Sequence, residues 1–295
     1  MARIAIVGAG GIGGVFGAVL HAAGHDVLFC SRRPFAKLKV DSAVIPTDLG
    51  VMAITDPHDI PPDWSSAEWV LVAVKAHQTR SIGPWLARLV SADTHVVTLQ
   101  NGLGSRADVD AAGCPAEVVE TVVYCGARST APGEVLHSGG LRLAVADSEA
   151  GRRLKRLFAA TEATVVVTSD FVTAQWRKLM VNCVANGITA LARRPLGVFT
   201  VPNAVHAAHD LLVEGQLIAG ANGARLTDAD LDRILADLGA PQAGDVAPSM
   251  LQDRLAGRPT EHDALYGAVV RAATKRGLSA PLHKLMLHLV ACGDD

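Results

Sequence analysis

The side chains best suited to chemistry lie in WRKLMVNCVANG, residues 176–187 of the 295-residue chain. On an α-helix each residue advances about 100°, which brings Gln175, Lys178, Asn182, Asn186 and Thr189 into an arc of roughly 80°. A solvent-facing stripe would ordinarily use Glu, Lys, Gln or Ala, because asparagine is a poor helix former. No charged residue falls between 179 and 192. A lysine at the end of a mostly buried polar seam is a candidate proton donor, since burial lowers its pKa towards neutrality. It would meet the negative charge that develops on an oxygen during reduction. The asparagines can donate to, or accept from, carbonyl and hydroxyl groups of a substrate.

A second group of candidates lies in PSMLQDRLAGRPTEHD, residues 248–263. Ser249 suits a carboxylate near a helix N-terminus. Thr260 reads as an N-cap before the apolar run 264–270. Glu261 reads either as a site residue or as a first-turn carboxylate favoured by the helix dipole.

These residues need elements to hold them. RIAIVGAGGIGGVFGAVLHAAGHDVLFCSR, near the start of the chain, reads as strand, glycine turn, helix, turn, strand. Gly8-Ala9-Gly10-Gly11-Ile12-Gly13 matches G-x-G-x-x-G directly after a buried strand and at the opening of a helix. That context turns a weak motif into a dinucleotide site. Gly8 permits the tight turn, Gly10 and Gly11 bring backbone to a pyrophosphate, Ile12 opens the helix, and Gly13 lets helix and strand pack closely. The anion sits at the helix N-terminus. Asp26 comes at the start of the second strand, too early for a ribose-binding acid, whereas the strand ends in Cys30-Ser31-Arg32-Arg33. An arginine suits a 2′-phosphate, so the expected cofactor is NADP(H), with Arg32 as its contact.

Further strands are expected at 70–74 and around 96–99, with a helix to about 90. Residues 116–147 read as antiparallel hairpins at the sheet edge, broken at Pro132-Gly133 and Gly139-Gly140. From about 170 onward the pattern is helical: 171–192, 203–222, 228–238, 247–256, 261–276 and 281–292. The expected architecture is therefore α/β, an N-terminal Rossmann-type dinucleotide-binding domain over 1–168 and an all-α substrate-binding domain over 169–295. A net charge of −2 and the lack of a basic stripe exclude a nucleic-acid partner, and no run of about 20 apolar residues predicts a membrane span. Five cysteines with no CxxC pair read as reduced thiols in a cytoplasmic protein, with no metal site. Residues 206–224 are apolar on more than one side. That suits a homodimer face or, the favoured reading, a central helix.

Taken in order, GAGGIG, VKAHQT, LQNGLG, CGARSTAPGEVLHSG, WRKLMVNCVANGITAL and SMLQDRLAGRPTEHD give a chain that resembles the 2-dehydropantoate 2-reductase (ketopantoate reductase) family from about residue 2 to 290. The resemblance implies NADPH-dependent reduction of 2-dehydropantoate to pantoate, on the route to pantothenate. It implies Lys178 as general acid, with Asn182, Asn186 and Ser249 on the substrate. Glu261 and Asn101 would lie between substrate and cofactor, Lys75 would help hold the cofactor, and Arg32 would hold its 2′-phosphate. The polar stripe would then face the nicotinamide. The chain departs from the family pattern at Gly187, usually Pro, and at Leu196, often a substrate-binding Asn. Pro248 and His262 are further departures. Leu196 raises the alternative of a D-2-hydroxyacid dehydrogenase acting on another 2-oxo acid. A protein that senses NADP(H) without turning it over is the non-enzymatic alternative.

Overall fold

The computed structural model describes residues 1–65 and 67–294. The chain divides into two compact units, Met1–Gln100 with Gly104–Phe171, and Asn101–Leu103 with Val172–Asp295. The tripeptide Asn101-Gly102-Leu103 thus packs with the helical unit, where Leu103 joins the apolar core.

The first unit contains β1 (Arg3–Val7), α1 (Gly11–Ala22), β2 (Asp26–Cys30), β3 (Leu38–Asp41), β4 (Thr47–Leu49), β5 (Trp69–Val72), α2 (Gly83–Leu89), β6 (His95–Thr98), α3 (Ser105–Ala111), β7 (Val118–Ala131), β8 (Glu134–Ala146), α4 (Glu149–Leu157) and β9 (Thr164–Thr168). The sheet runs β2-β1-β5-β6-β7-β8-β3-β4, with β9 also on β8. From β2 to β7 every pairing is parallel. Parallel strands of this kind are covered on both faces, and β5 is buried along its whole length. Ile4, Ile6 and Leu71 point to a core with Phe16 and Leu20 of α1. Ala5, Val7, Val70 and Val72 point the other way, to Leu86 and Leu89 of α2.

The expectation for 116–147 needs correcting. There is one hairpin, β7–β8, turning at Pro132-Gly133. Gly139-Gly140 lies inside β8, at a register shift opposite Gly126. Both glycines have positive φ, the backbone form that a bulge exploits. The hairpin is not at the sheet edge either, because β3 and β9 both pair with β8.

The second unit is helical: α5 (Phe171–Ala192), α6 (Pro202–Ala221), α7 (Asp228–Leu238), α8 (Ser249–Leu255), α9 (Ala268–Lys275) and α10 (Pro281–Ala291). A single π turn, Asp263–Gly267, leads into α9. Its core gathers Met180, Cys183 and Val184 of α5, Leu212 and Ile218 of α6, and Val269 of α9. α6 packs on α7, α9 and α10, the arrangement of a central helix. No helix of the described residues is long and apolar enough to cross a membrane.

A carboxylate–imidazole contact pins α10 to α6. Glu214 takes the backbone N–H of Leu282 at 2.9 Å and of His283 at 2.8 Å, and its Oε1 lies 2.8 Å from His283 Nδ1. One carboxylate thereby caps a helix whose own N-cap, Ala280, offers no side chain for the purpose. Burial pushes the Glu214 carboxyl up, but the ring and the two amides together pull it below the usual 4.5. Glu214→Gln is expected to cost about 2–4 kcal/mol at pH 7, since it breaks this contact and weakens the cap. A folded-state pKa below the unfolded one stabilises the fold above the unfolded value, and that contribution fades as pH falls through the folded value. The melting-temperature gap between wild type and variant should therefore be widest at neutral pH and shrink below about pH 4.

Candidate active site

α5 carries the polar stripe, and the stripe does not face solvent. Asn182 is 7% exposed and Asn186 6%, while Thr189 is wholly buried. Thr189 serves the helix rather than a ligand, donating its hydroxyl to the carbonyls of Ala185 at 2.6 Å and Asn186 at 3.2 Å. Lys178 stands one turn before Asn182 and is half-buried rather than buried. The reason is local: the first turns of α5 are more open, with Val172 and Arg177 both exposed.

Five of the residues singled out from sequence, Asn101, Asn182, Asn186, Ser249 and Glu261, line one pocket in the helical unit. Lys178 is not among its lining residues. The cavity the lining side chains enclose is only about 10 Å³, roughly the space of one water, so they converge closely on one point. Its side chains are held by one another. Asn182 Nδ2 donates to Asn101 Oδ1 at 3.2 Å. Asn186 Oδ1 accepts from Ser249 Oγ at 3.2 Å and from the Met250 N–H at 3.0 Å. α8 begins at Ser249, and its N-cap Pro248 offers no side-chain bond, so Asn186 acts as the missing cap from another helix. With its oxygen so engaged, Asn186 keeps the two N–H donors of its amide for a ligand.

Asp253 also lines the pocket, with Met250 and Leu265, and sequence reasoning passed over it. The signal was present, since Asp253 follows Ser249 by four residues and so shares its helix face. Asp253 is 5% exposed and is paired with Arg258, whose Nε and Nη2 lie 3.0 and 2.9 Å from Oδ1. Glu261 is buried on the turn before α9. Thr260 is not the N-cap that its position suggests: its hydroxyl donates to Asp294 Oδ2 at 2.7 Å. Leu196 lies in the apolar core of the helical unit.

One departure from the usual pattern, Gly187, has a steric explanation. A Cβ on Gly187 would fall 1.6 Å from the Tyr266 hydroxyl. That hydroxyl donates to the backbone carbonyl of Cys183 within α5. The glycine is the notch into which the tyrosine of the π turn inserts. Burial drives the Tyr266 phenol well above its usual range, so it remains a neutral donor. Burial likewise pushes the thiol of Cys30 up to about 12 and that of Cys183 higher still, leaving both inert.

The first unit holds the glycine loop. Gly8 has φ +104, closed to ordinary side chains, and a Cβ on Gly13 would fall 2.2 Å from the Gly8 carbonyl oxygen. Nothing lies within 4 Å of where a Gly10 Cβ would be. The tight turn and the close helix–strand approach are thus enforced, and the space beside Gly10 is open, as a dinucleotide pyrophosphate requires. Gly11 and Ile12 form the first turn of α1, whose leading N–H groups have no partner within the helix. Arg32 is exposed just past β2, and Lys75 is half-buried just past β5. The fold of the first unit and its glycine loop are those of a dinucleotide-binding domain.

Comparison with known proteins specifies the class further. Residues 4–150 match the family model described as ketopantoate reductase PanE/ApbA, and residues 170–292 match its C-terminal counterpart. A 2-dehydropantoate 2-reductase of Mycobacterium tuberculosis is 34% identical over 99% of this chain and 98% of its own. The crystal structure of 2-dehydropantoate 2-reductase from Geobacter metallireducens superposes with a TM-score of 0.90 at 28% identity, covering 98% of each chain. A D-mandelate dehydrogenase, in a ternary structure with NADH and anilino(oxo)acetate, shares the fold with a TM-score of 0.86 at 22% identity, over 99% of this chain and 98% of that one. The chain belongs to the ketopantoate reductase family.

Proposed function

We propose that the protein reduces 2-dehydropantoate to (R)-pantoate with NADPH. The observation that carries this reading is the pair of buried amides, Asn182 and Asn186, in one pocket with Asn101, Ser249 and Glu261. Such a set recognises a compact acid rich in oxygen, and a chain of this family supplies the reaction.

The glycine loop, Lys75 and Arg32 would hold the cofactor, with the Arg32 guanidinium on the 2′-phosphate. NADPH, when bound, supplies the hydride. Lys178 donates a proton from Nζ to the 2-keto oxygen as that oxygen gains charge, and its ammonium stabilises the charge before the transfer is complete. The Asn182 and Asn186 amides orient the carbonyl and hydroxyl groups. Ser249 turns its hydroxyl from Asn186 to the substrate carboxylate. The pocket already contains Asp253 and Glu261, so an anionic substrate needs compensating positive charge; Arg258 neutralises Asp253, and Lys178 serves the substrate.

The cofactor half of this reading is tested at Arg32. A charge-assisted hydrogen bond is worth about 1.5–3 kcal/mol, which corresponds to roughly 10- to 150-fold in affinity. Arg32→Ala should raise KM for NADPH by that factor and leave KM for NADH nearly unchanged. Equal effects on both cofactors, or none on NADPH, would remove Arg32 from the site.

A further inference from the structure

Gly293 and Asp294 close over the two segments that carry the hydroxyl and carboxylate groups of the pocket. Asp294 Oδ2 accepts the Thr260 backbone N–H at 3.0 Å and the Thr260 hydroxyl at 2.7 Å, and it lies 3.0 Å from His262 Nδ1. Thr260 and His262 are the residues on either side of Glu261. A single carboxylate oxygen therefore fixes the backbone just before Glu261 and the side chain just after it. The Thr260 hydroxyl and the His262 ring are themselves 3.0 Å apart, which closes a three-member ring of contacts around the turn.

The other side of the same segment bears on α8. A Cβ on Gly293 would fall 1.3 Å from Arg254 Nη1, so the chain crosses directly over that guanidinium, and a side chain there would strike it. Arg254 Nη2 donates to the Val290 carbonyl at 2.6 Å and stands 3.9 Å from Asp294 Oδ1. Arg254 lies on α8, whose first turns place Ser249, Met250 and Asp253 around the pocket. Burial pushes the Asp294 carboxyl up, but the Thr260 and His262 hydrogen bonds outweigh it, and the group sits below the usual aspartate range.

We infer that Asp294 is a positioning residue for Glu261: its carboxylate clasps the Thr260–His262 turn and, across the Arg254 guanidinium, holds that turn against α8. The inference rests on the reading of Glu261 as a residue that touches substrate or cofactor. Sequence gives no hint of it, because Asp294 is 34 residues from Thr260 and its neighbours have no catalytic pattern.

A double-mutant cycle tests the clasp on the full chain, with steady-state rates for NADPH and 2-dehydropantoate at 25 °C and a thermal melt of each variant. Asp294→Ala should lower kcat/KM for the 2-oxo acid about 10-fold in the wild-type background. In a Glu261→Gln background it should lower kcat/KM less than about 2-fold, because the positioned group is already compromised. Asp294→Asn keeps an acceptor oxygen for Thr260 and should recover most of the loss. If Asp294→Ala does not fold, Thr260→Val, which removes the hydroxyl held by Asp294, takes its place in the cycle with the same expected dependence on Glu261. A lowered melting temperature with unchanged kcat/KM, or an equal loss in both backgrounds, would make Asp294 merely structural and overturn the inference. If Glu261→Gln alone matches the wild type, the role of Glu261 falls and the clasp falls with it, while the reading of Asn182 and Asn186 stands.

Discussion

Lys178→Ala should lower kcat by about 10²–10⁴-fold, the range over which a positioned general acid contributes. Lys178 precedes Asn182 by one helical turn, on the face of α5 that sends Asn182 and Asn186 into the pocket. It is half-buried and stands one turn from the buried amide of Asn182. Lys178→Arg should be nearly as inactive, since a guanidinium keeps the charge but does not give up its proton. NADPH affinity, followed by fluorescence titration, should change less than about 3-fold in both variants, because the glycine loop is untouched. A variant that loses cofactor binding in parallel with turnover would place Lys178 in cofactor binding instead. Full turnover in Lys178→Ala would remove it from the chemistry altogether.

Gly187→Ala should produce the largest stability loss. The new methyl group would occupy the position of the Tyr266 hydroxyl, and the Met286 methyl lies only 2.8 Å from the same point. Tyr266 is wholly buried, so its ring has no room to yield without moving the π turn that carries it. Overpacking of this kind costs about 1–3 kcal/mol, and a buried donor deprived of its acceptor costs about 1–3 kcal/mol more. The melting temperature should fall by roughly 5–15 °C. Because Leu265 lines the pocket and is adjacent to Tyr266, KM for the 2-oxo acid should rise as well. Tyr266→Phe removes the shortest contact and leaves the ring Cζ at 2.7 Å, so the double variant Gly187→Ala with Tyr266→Phe should recover part of the stability. A Gly187→Ala protein that melts like the wild type would show that the notch is not needed.

The parts of this molecule that were legible in the sequence are those governed by local periodicity. α5 was expected over 171–192 and spans Phe171–Ala192. The glycine loop was legible because a strand, a turn and a helix follow one another within thirty residues. β3 and β4 were not anticipated, because each is only three or four residues long and β3 finds its partner in β8, some 95 residues away. α4 was missed for a different reason. Its Arg152-Arg153 pair reads as solvated surface, although Ser148 accepts the Gly151 N–H as an N-cap and marks the start of the helix. The pocket follows the same division. Its residues on α5 show in the stripe, whereas the bonds that orient them cross 63 to 81 residues of chain. Tyr266 in the Gly187 notch and Asp294 on the Glu261 turn are contacts of this second kind, which no spacing rule predicts.

The most direct test of the central claim is kcat/KM for NADPH oxidation with 2-dehydropantoate beside a panel of branched and aromatic 2-oxo acids, each product being identified. The account predicts that 2-dehydropantoate gives the highest value, by at least about 10-fold, the discrimination that a few fixed polar contacts provide. It also predicts one (R)-pantoate formed for each NADPH consumed. A higher kcat/KM for an aromatic 2-oxo acid such as a phenylglyoxylate would contradict the substrate assignment and make the enzyme a 2-hydroxyacid dehydrogenase built on the same fold.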